Sequence, residues 1–520
     1  MLINITAAKC IGIDAVPVTV EVDITRGLGI HLVGLADVAV KESLLRTMTA
    51  LSSIGFRIPG KKIVINLAPA DMHKNGSGYD LPIALGIISA SGQCELPDID
   101  KYIIMGELGL DASLRPVSGA LPMAELALRM GFKGCILPEE SALEAADYRD
   151  TDVYGVNNLQ EVLRILSGEP DAEDFLIWNS VTYKNYCDDK ASRPGELSDE
   201  YMDFSEIIGQ DGAKRGLEIA AAGGHNVIMI GAPGSGKSSL AKAIAGILPE
   251  MSREESIVTS KIYSISGRKT SAFGLMRKRP FRSPHYSVSM AAMVGGGNKD
   301  NILPGEVSLA QNGILFCDEF TQMPRFITEA LRGPLEDRKV VVSRLKAKVE
   351  FPSSFMLVAA ANPCPCGYYG EGERCTCSAG QRLSYLSKIS GPIIDRIDVQ
   401  LWLHPVAPEK LVKGQGEETS AEVASRVLEA RNRQKRRFQG ENIFTNAEMT
   451  GRMIKLYCPL SPDCKKLMEK IIVNIGLSAR AFSRVLKLAR TIADLEGNEH
   501  ILPKHITEAS TYRFLDKEKL

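Results

Sequence analysis

The sequence predicts an α/β protein in three parts: an N-terminal α/β region, a core built on a parallel sheet, and a helical C-terminal lid. Three observations carry this. In the middle of the chain, short apolar runs alternate with helical patterns: HNVIMIG at 225–231, GILFCDE at 313–319 and FMLVAAAN at 355–362. That alternation is what parallel strands joined by crossover helices require. Upstream, strand-like runs (Val18 to Val22, Lys62 to Leu67, Tyr102 to Met105) mix with helical patterns (Val38 to Leu51, Leu121 to Met130). Downstream of about Ala407, the segments Ser420 to Phe438, Cys464 to Ile475, Arg480 to Leu495 and Pro503 to Tyr512 carry apolar residues at helical spacing with polar outer faces. Residues 169–203 lose periodicity and gain acidic and polar side chains, which suits a linker. The expected division is therefore 1–168, a linker at 169–203, a core at 204–405 and a lid at 406–520.

Bulk properties bound the function without naming it. A chain of 520 residues is too long for one hydrophobic core, and 44% apolar with 24% charged residues is a globular composition. No apolar stretch approaches the roughly 20 residues that cross a bilayer, and the opening MLINITAAKCIGID lacks the layout of a signal peptide. The expected location is cytoplasmic, away from membranes. In that setting the eleven cysteines read as thiols or metal ligands rather than as a disulfide framework. The net charge of −1 neither demands nor excludes a nucleic-acid partner, because phosphate binding depends on local stripes of Lys and Arg.

The strongest motif is Gly231-Ala232-Pro233-Gly234-Ser235-Gly236-Lys237-Ser238, preceded by the apolar run Asn226 to Ile230 and followed by a helical run, Ser239 to Leu248. Glycines there let backbone N–H groups wrap phosphates. Lys237 meets the β/γ oxygens, Ser238 binds Mg²⁺, and the helix N-terminus favours the anion. A second apolar run, Gly313 to Cys317, delivers Asp318 and Glu319 where ligands of open α/β sheets sit. Asp318 is expected to hold Mg²⁺ and Glu319 to orient or deprotonate a water. A third run, Met356 to Ala361, ends in Asn362, an amide suited to positioning that water.

With Arg396 in Gly391-Pro392-Ile393-Ile394-Asp395-Arg396 and Arg480 in Leu477-Ser478-Ala479-Arg480, these segments resemble the AAA+ ATPase layout of Walker A, Walker B, sensor 1, arginine finger and sensor 2. The resemblance implies ATP and Mg²⁺ as cofactors and a ring, expected to be a hexamer. It also implies that Arg396 reaches a neighbour's γ-phosphate and Arg480 the phosphate of its own subunit. The blocks Arg279-Pro280-Phe281-Arg282-Ser283-Pro284-His285, Val294 to Gly297, Pro304 to Ala310, Pro363 to Gly367 and Ser478 to Phe482 resemble the magnesium-chelatase-like branch, and most closely the YifB/ComM family. That likeness implies a ring ATPase acting on DNA, driving branch migration as incoming strands are integrated in natural transformation or recombination. The N-terminal blocks Lys74 to Leu81, Gly106 to Leu110 and Arg115 to Gly119 are similar to the Lon protease domain. Aligning them puts Gly78 in place of the nucleophilic serine and Leu121 in place of the general-base lysine, so proteolysis is not expected. A chelatase-like, protein-remodelling ATPase without DNA activity is the alternative reading.

Two basic segments are candidate DNA contacts: Arg268-Lys269 with Arg277, Lys278, Arg279 and Arg282, and a hairpin whose tip gathers Arg344, Lys346 and Lys348. Solvated surface charge is the plain alternative for both. Arg431 to Arg437 reads as a polar helix face. Finally, Cys364, Cys366, Cys375 and Cys377 form C-x-C, a Gly-rich turn and C-x-C. Four thiolates could hold a structural Zn²⁺, although the spacing is tighter than the usual C-x₂-C, and reduced, unliganded thiols are the alternative.

Overall fold

The structure is a computed structural model. It describes residues 2–34, 38–74, 76–192, 201–268, 273–298, 301–344, 347–406, 418–441 and 443–516.

The N-terminal region is organised on a seven-stranded sheet of β1 (Leu2–Ile11), β2 (Asp14–Thr25), β3 (Ile30–Val33), β4 (Lys62–Ala68), β5 (Tyr102–Ile104), β8 (Gly134–Pro138) and β9 (Asp152–Val156), in the order β3-β4-β2-β1-β5-β8-β9. The pair β6 (Glu107–Leu108) and β7 (Leu114–Arg115) forms a small separate ribbon. β1, β2 and β4 are antiparallel, whereas β5, β8 and β9 continue in parallel from β1. Helices α1 (Val38–Ser53), α2 (Asp80–Ala90) and α3 (Ala120–Met130) accompany it. α2 is buried from Asp80 to Ile88, and at Gly86 the sheet comes so close that an added Cβ would lie 2.5 Å from a Val22 methyl.

The second sheet is five-stranded and parallel, in the order β11-β14-β17-β10-β18: β10 (Val227–Gly231), β11 (Phe281–Arg282), β14 (Ile314–Cys317), β17 (Met356–Ala361) and β18 (Val399–Leu403). Two hairpins, β12 (Gly295–Asn298) with β13 (Asn301–Pro304) and β15 (Lys339–Arg344) with β16 (Ala347–Pro352), are inserted between its strands. Buried apolar side chains fill both faces, as a sheet covered on both sides needs. After β10 the chain moves to one side and returns inward through β14 and β17. It then crosses to β18, so the strand order reverses at β10. Such a switch point leaves a crevice outside the carboxyl ends of the strands.

The helices flanking the core are α4 (Asp211–Gly223), α5 (Lys237–Gly246), α6 (Arg253–Ser266) and α7 (Ala379–Leu386). The C-terminal part is helical, with α8 (Ser420–Arg437), α9 (Pro462–Ile475), α10 (Ala479–Leu495) and α11 (Pro503–Thr511). It packs on α4 and on the amino ends of β10 and β18: His225 Nε2 meets Thr491 Oγ1 at 2.8 Å, and Arg484 donates to Asp398 at 2.7 Å.

The segment expected to be a linker is structured up to Ser192. Its helix Val181–Ser192 buries Tyr183, and Tyr186 stands edge-on to Phe273 at 5.1 Å. The acidic composition had masked these aromatic anchors. α6 ties the N-terminal region to the core: Lys261, almost fully buried, donates to Asp14 at 2.6 Å and Glu125 at 2.5 Å, and the Gly119 N–H donates to the Ser264 carbonyl.

Candidate nucleotide site

The crevice at the switch point is a cleft of about 420 Å³ lined by Pro233, Gly234, Gly236, Lys237, Ser238, Ser239, Asp318, Glu319, Ala361 and Asn362. Each element delivers its residues by a simple local rule. β10 ends at Gly231, the loop 232–236 turns, and Gly236, with φ +89°, starts α5 in a left-handed conformation closed to most side chains. β14 ends at Cys317 and hands over Asp318 and Glu319; Glu319 itself takes φ +48°, an uncommon value for a residue with a Cβ. β17 ends at Ala361 and presents Asn362.

Inside the cleft Lys237 Nζ donates to the carbonyls of Gly231 (2.7 Å) and Ala232 (2.9 Å) and reaches Asn362 Oδ1 at 3.3 Å. Burial pulls its ammonium below the usual lysine range, against the opposing pull of Asp318 and Glu319. Ser238 Oγ donates to Asp318 Oδ2 at 3.2 Å, and the other oxygen of Asp318 accepts the Glu319 N–H at 2.8 Å. A hydroxyl and a carboxylate this close, beside backbone N–H groups at a helix start, suit a hydrated divalent cation and an anionic phosphate chain. Of the eight loop residues expected from sequence, Pro233, Gly234, Gly236, Lys237 and Ser238 line the cleft with Asp318, Glu319 and Asn362.

The two predicted arginines stand elsewhere. Asp395 and Asp398 precede β18, which runs parallel to β10 with Val227 opposite Val399, so they lie at the sheet end remote from Gly231. Arg396 is buried there, donating to the Pro392 carbonyl at 2.8 Å and paired with Glu336. Arg480 heads α10 with its side chain 68% exposed, 3.9 Å from Asp395. Arg480, expected to touch the phosphate of its own chain, stands in the single chain beside Asp395, ahead of the amino end of β18, whereas the phosphate loop leaves the carboxyl end of β10. Arg396, expected as a finger, is an ion-paired and largely buried group in the single chain.

The basic segments divide in the same way. Arg279 forks onto Glu255 with two 2.9 Å bonds and also donates to the carbonyls of Pro249 and Asn312. Arg282 forks onto Glu306 at 2.7 and 3.0 Å, and Arg268 joins the same carboxylate at 3.1 Å. In the single chain Arg279 and Arg282, both expected as DNA contacts, are engaged in ion pairs within the core, while Arg268 stays 47% exposed beside Glu306. Arg277 and Lys278 are exposed, as is Lys348 on the β15–β16 hairpin. Lys269, Lys346 and the Arg344 side chain lie outside the described residues.

In the N-terminal region, a Cβ on Gly78 would meet Met105 at 2.9 Å and Val117 at 3.2 Å, and Leu121 is fully buried. Ser77 donates to the Glu107 carboxylate. The positions aligned with a serine–lysine dyad are thus apolar.

Sequence reasoning missed Gln210. It adopts φ +60°, and its amide donates to the carbonyls of Ser235 (3.2 Å) and His404 (2.7 Å). An adjoining hollow of about 480 Å³ is lined by Gly209, Gln210, Trp402, His404, Tyr512 and Phe514 among others. The Gly-Gln pair just before a helix was the one available signal.

Comparison with known proteins agrees with this architecture. Residues 203–411 match the family described as "Magnesium chelatase, subunit ChlI", residues 20–141 match "Subunit ChlI of Mg-chelatase", and residues 417–513 match "Magnesium chelatase, subunit ChlI C-terminal". The class is thus the magnesium-chelatase-like AAA+ proteins. The chain is 41% identical to YifB of Salmonella typhimurium over 98% of its own length and 96% of the relative's. It is 39% identical to the competence protein ComM of Haemophilus influenzae over 96% and 95%. The chain belongs to the YifB/ComM family of these proteins. A more distant match, at 21% identity over 88% of the chain and 53% of the relative, is the DNA replication licensing factor Mcm6 of Anopheles gambiae. No described helix is long and apolar enough to cross a membrane.

Proposed function

We propose that this chain is a ring-forming AAA+ ATPase that moves along or branch-migrates DNA. The observation that carries the nucleotide part is the convergence of Lys237, Ser238, Asp318, Glu319 and Asn362 on one cleft at the sheet's switch point. Lys237 and the loop N–H groups bind the phosphates. Ser238 and Asp318 would hold Mg²⁺, which when bound draws charge from the β- and γ-oxygens. Glu319 takes or orients the proton of the attacking water, and Asn362 keeps that water in line. Gln210 and the hollow beside it, walled by Trp402 and Tyr512, receive the base.

Arg480, exposed at the far end of the sheet, serves a neighbouring subunit's γ-phosphate. An arginine delivered across a boundary is worth roughly 10³ to 10⁵ in rate, so assembly and hydrolysis are coupled. A hexameric ring would place Arg277, Lys278 and Lys348 against a polyanion. The names of two relatives, a competence protein and a replication licensing factor, support DNA as that polyanion and strand integration in natural transformation or recombination as the setting. The division into an N-terminal platform, an ATPase core and a lid belongs to the same reading.

The test is ATP hydrolysis by the full chain across single-stranded, duplex and four-way-junction DNA, with mass measured with and without nucleotide. Hydrolysis should rise with single-stranded or branched DNA, Lys237→Ala should abolish it, and Arg480→Ala should lose it while still binding ATP. Turnover indifferent to every DNA would remove the DNA reading.

A further inference from the structure

The segment after Asn362 has little regular structure, although Tyr369 within it stands edge-on to Trp402 at 6.0 Å. From Cys364 to Cys377 it contains one short 3₁₀ turn, and Gly367, Gly370 and Gly372 all have positive φ. Yet it sits against the nucleotide cleft: a Cβ on Gly367 would lie 3.0 Å from the Pro233 ring of the phosphate loop. Immediately after it, α7 starts at the Ser378 cap and carries Tyr385, whose hydroxyl accepts from Thr321 at 2.6 Å, two residues beyond Glu319. The loop follows Asn362 directly and meets the phosphate loop, and the helix after it reaches the segment behind Glu319.

What pins it is visible in the sulfurs. Cys364, Cys366, Cys375 and Cys377 are all unbridged, and their Sγ atoms lie within 4.8 Å of one another. Cys364 to Cys366 is 3.3 Å, Cys364 to Cys375 is 3.8 Å, and Cys366 to Cys375 is 3.7 Å. A disulfide needs about 2.05 Å. A tetrahedral Zn²⁺ with Zn–S of about 2.3 Å sets its sulfurs about 3.8 Å apart. The turn that brings the first pair together is closed by the Gly367 N–H donating to the Cys364 carbonyl at 3.0 Å.

We infer that these four cysteines form a Zn²⁺ tetrathiolate that staples the 364–377 loop onto the phosphate loop and keeps Asn362 in register with Lys237. The metal site stands on the sulfur geometry alone. Its effect on the cleft rests on the nucleotide reading above.

Metal analysis of the full chain, purified under reducing conditions without chelator, should find about one zinc per chain. Cobalt substituted for it should give the intense visible absorption of a tetrahedral cobalt thiolate. Cys375→Ser and Cys377→Ser should each lose more than about tenfold in zinc affinity while the far-ultraviolet circular dichroism is retained. Lys237→Ala should keep its full zinc. Iron in place of zinc, an octahedral cobalt spectrum, or no metal after incubation of the reduced protein with Zn²⁺ would each overturn the site. Stripping zinc should weaken binding of a fluorescent ATP analogue several-fold, and re-adding zinc should restore it. Unchanged affinity of the stripped protein would overturn the staple. If Lys237→Ala bound the analogue as well as the parent does, the nucleotide reading would fail and the zinc count would still stand.

Discussion

The joint between lid and core turns on one buried carboxylate, and its removal has a calculable consequence. Asp398, 1% exposed in its side chain, accepts from Arg484 at 2.7 Å and from the Asn226 N–H at 3.2 Å, and lies 3.4 Å from His225 Nδ1. These partners hold its carboxyl far below the usual carboxylate range in spite of burial, with Arg484 foremost. Asp398→Ala leaves a guanidinium and a backbone N–H without their acceptor. Breaking one side of a buried pair costs about 3–5 kcal/mol, and the one-fifth exposure of Arg484 places this case near the low end. For a cooperative unit of about 150–250 residues, about 3 kcal/mol lowers Tm by roughly 6–12 °C. Trp402, on the strand that Asp398 precedes, gives the fluorescence to follow. Removing both partners, in Asp398→Ala with Arg484→Met, should cost less than the sum of the single changes by about 1–3 kcal/mol.

The pH dependence has a definite sign. Asp398 has a depressed folded pKa, so its contribution is complete above about pH 4 and is lost only as pH falls towards that lower value. Burial holds the pKa of His225 below the usual histidine value, against the pull of Asp398, so the fold takes up its proton at lower pH than the unfolded chain does. Below about pH 6.5 the unfolded chain gains a proton there that the fold does not, and stability falls. Without Asp398 that fall should steepen. A variant melting within about 2 °C of the parent, or single changes that add to within about 0.5 kcal/mol, would refute the account.

Three further outcomes follow. Glu319→Gln should still bind ATP with Mg²⁺ yet lose at least about 10²-fold in kcat, measured by steady-state hydrolysis beside equilibrium binding. Gly86→Ala should destabilise the N-terminal region by about 1–3 kcal/mol, because the new methyl meets Val22 where neither helix nor sheet can retreat; denaturant midpoints read this. Glu144 receives the Ser264 hydroxyl at 2.5 Å at the contact between the N-terminal region and α6, and burial pushes its pKa up to about 7. The fold keeps its proton and the unfolded chain does not, so stability should fall as pH rises from about 4.5 to about 7 and then level off. In Glu144→Gln that slope should vanish, as thermal melts across the range would show.

Much of the fold was legible because its elements are locally consistent. Val38–Ser53, Ala120–Met130, Ser420–Arg437 and Pro503–Thr511 match their apolar periodicity to within a residue or two, and β10, β14 and β17 coincide with their apolar runs. β1 and α2 escaped notice. β1 mixes polar residues into a run that only its ten-residue pairing with β2 organises, and α2 is apolar all round because it is buried all round. The hairpin Lys339–Arg344 with Ala347–Pro352 was visible from its alternation. The bonding of its basic neighbours Arg279 and Arg282 was not, since Glu255 and Glu306 lie 24 residues from each in sequence.

What the sequence determined by itself is the chemistry carried by contiguous motifs. The phosphate loop, the acid pair after β14 and the amide after β17 are each set by a strand end and the turn that follows, so local rules suffice. What only the tertiary structure decided is which distant groups meet. Arg396 pairs with Glu336, Arg480 stands at the sheet end away from the phosphate loop, and Gln210 reaches that loop. The direction in which a lid packs depends on burial summed over several helices, and no single segment carries that information.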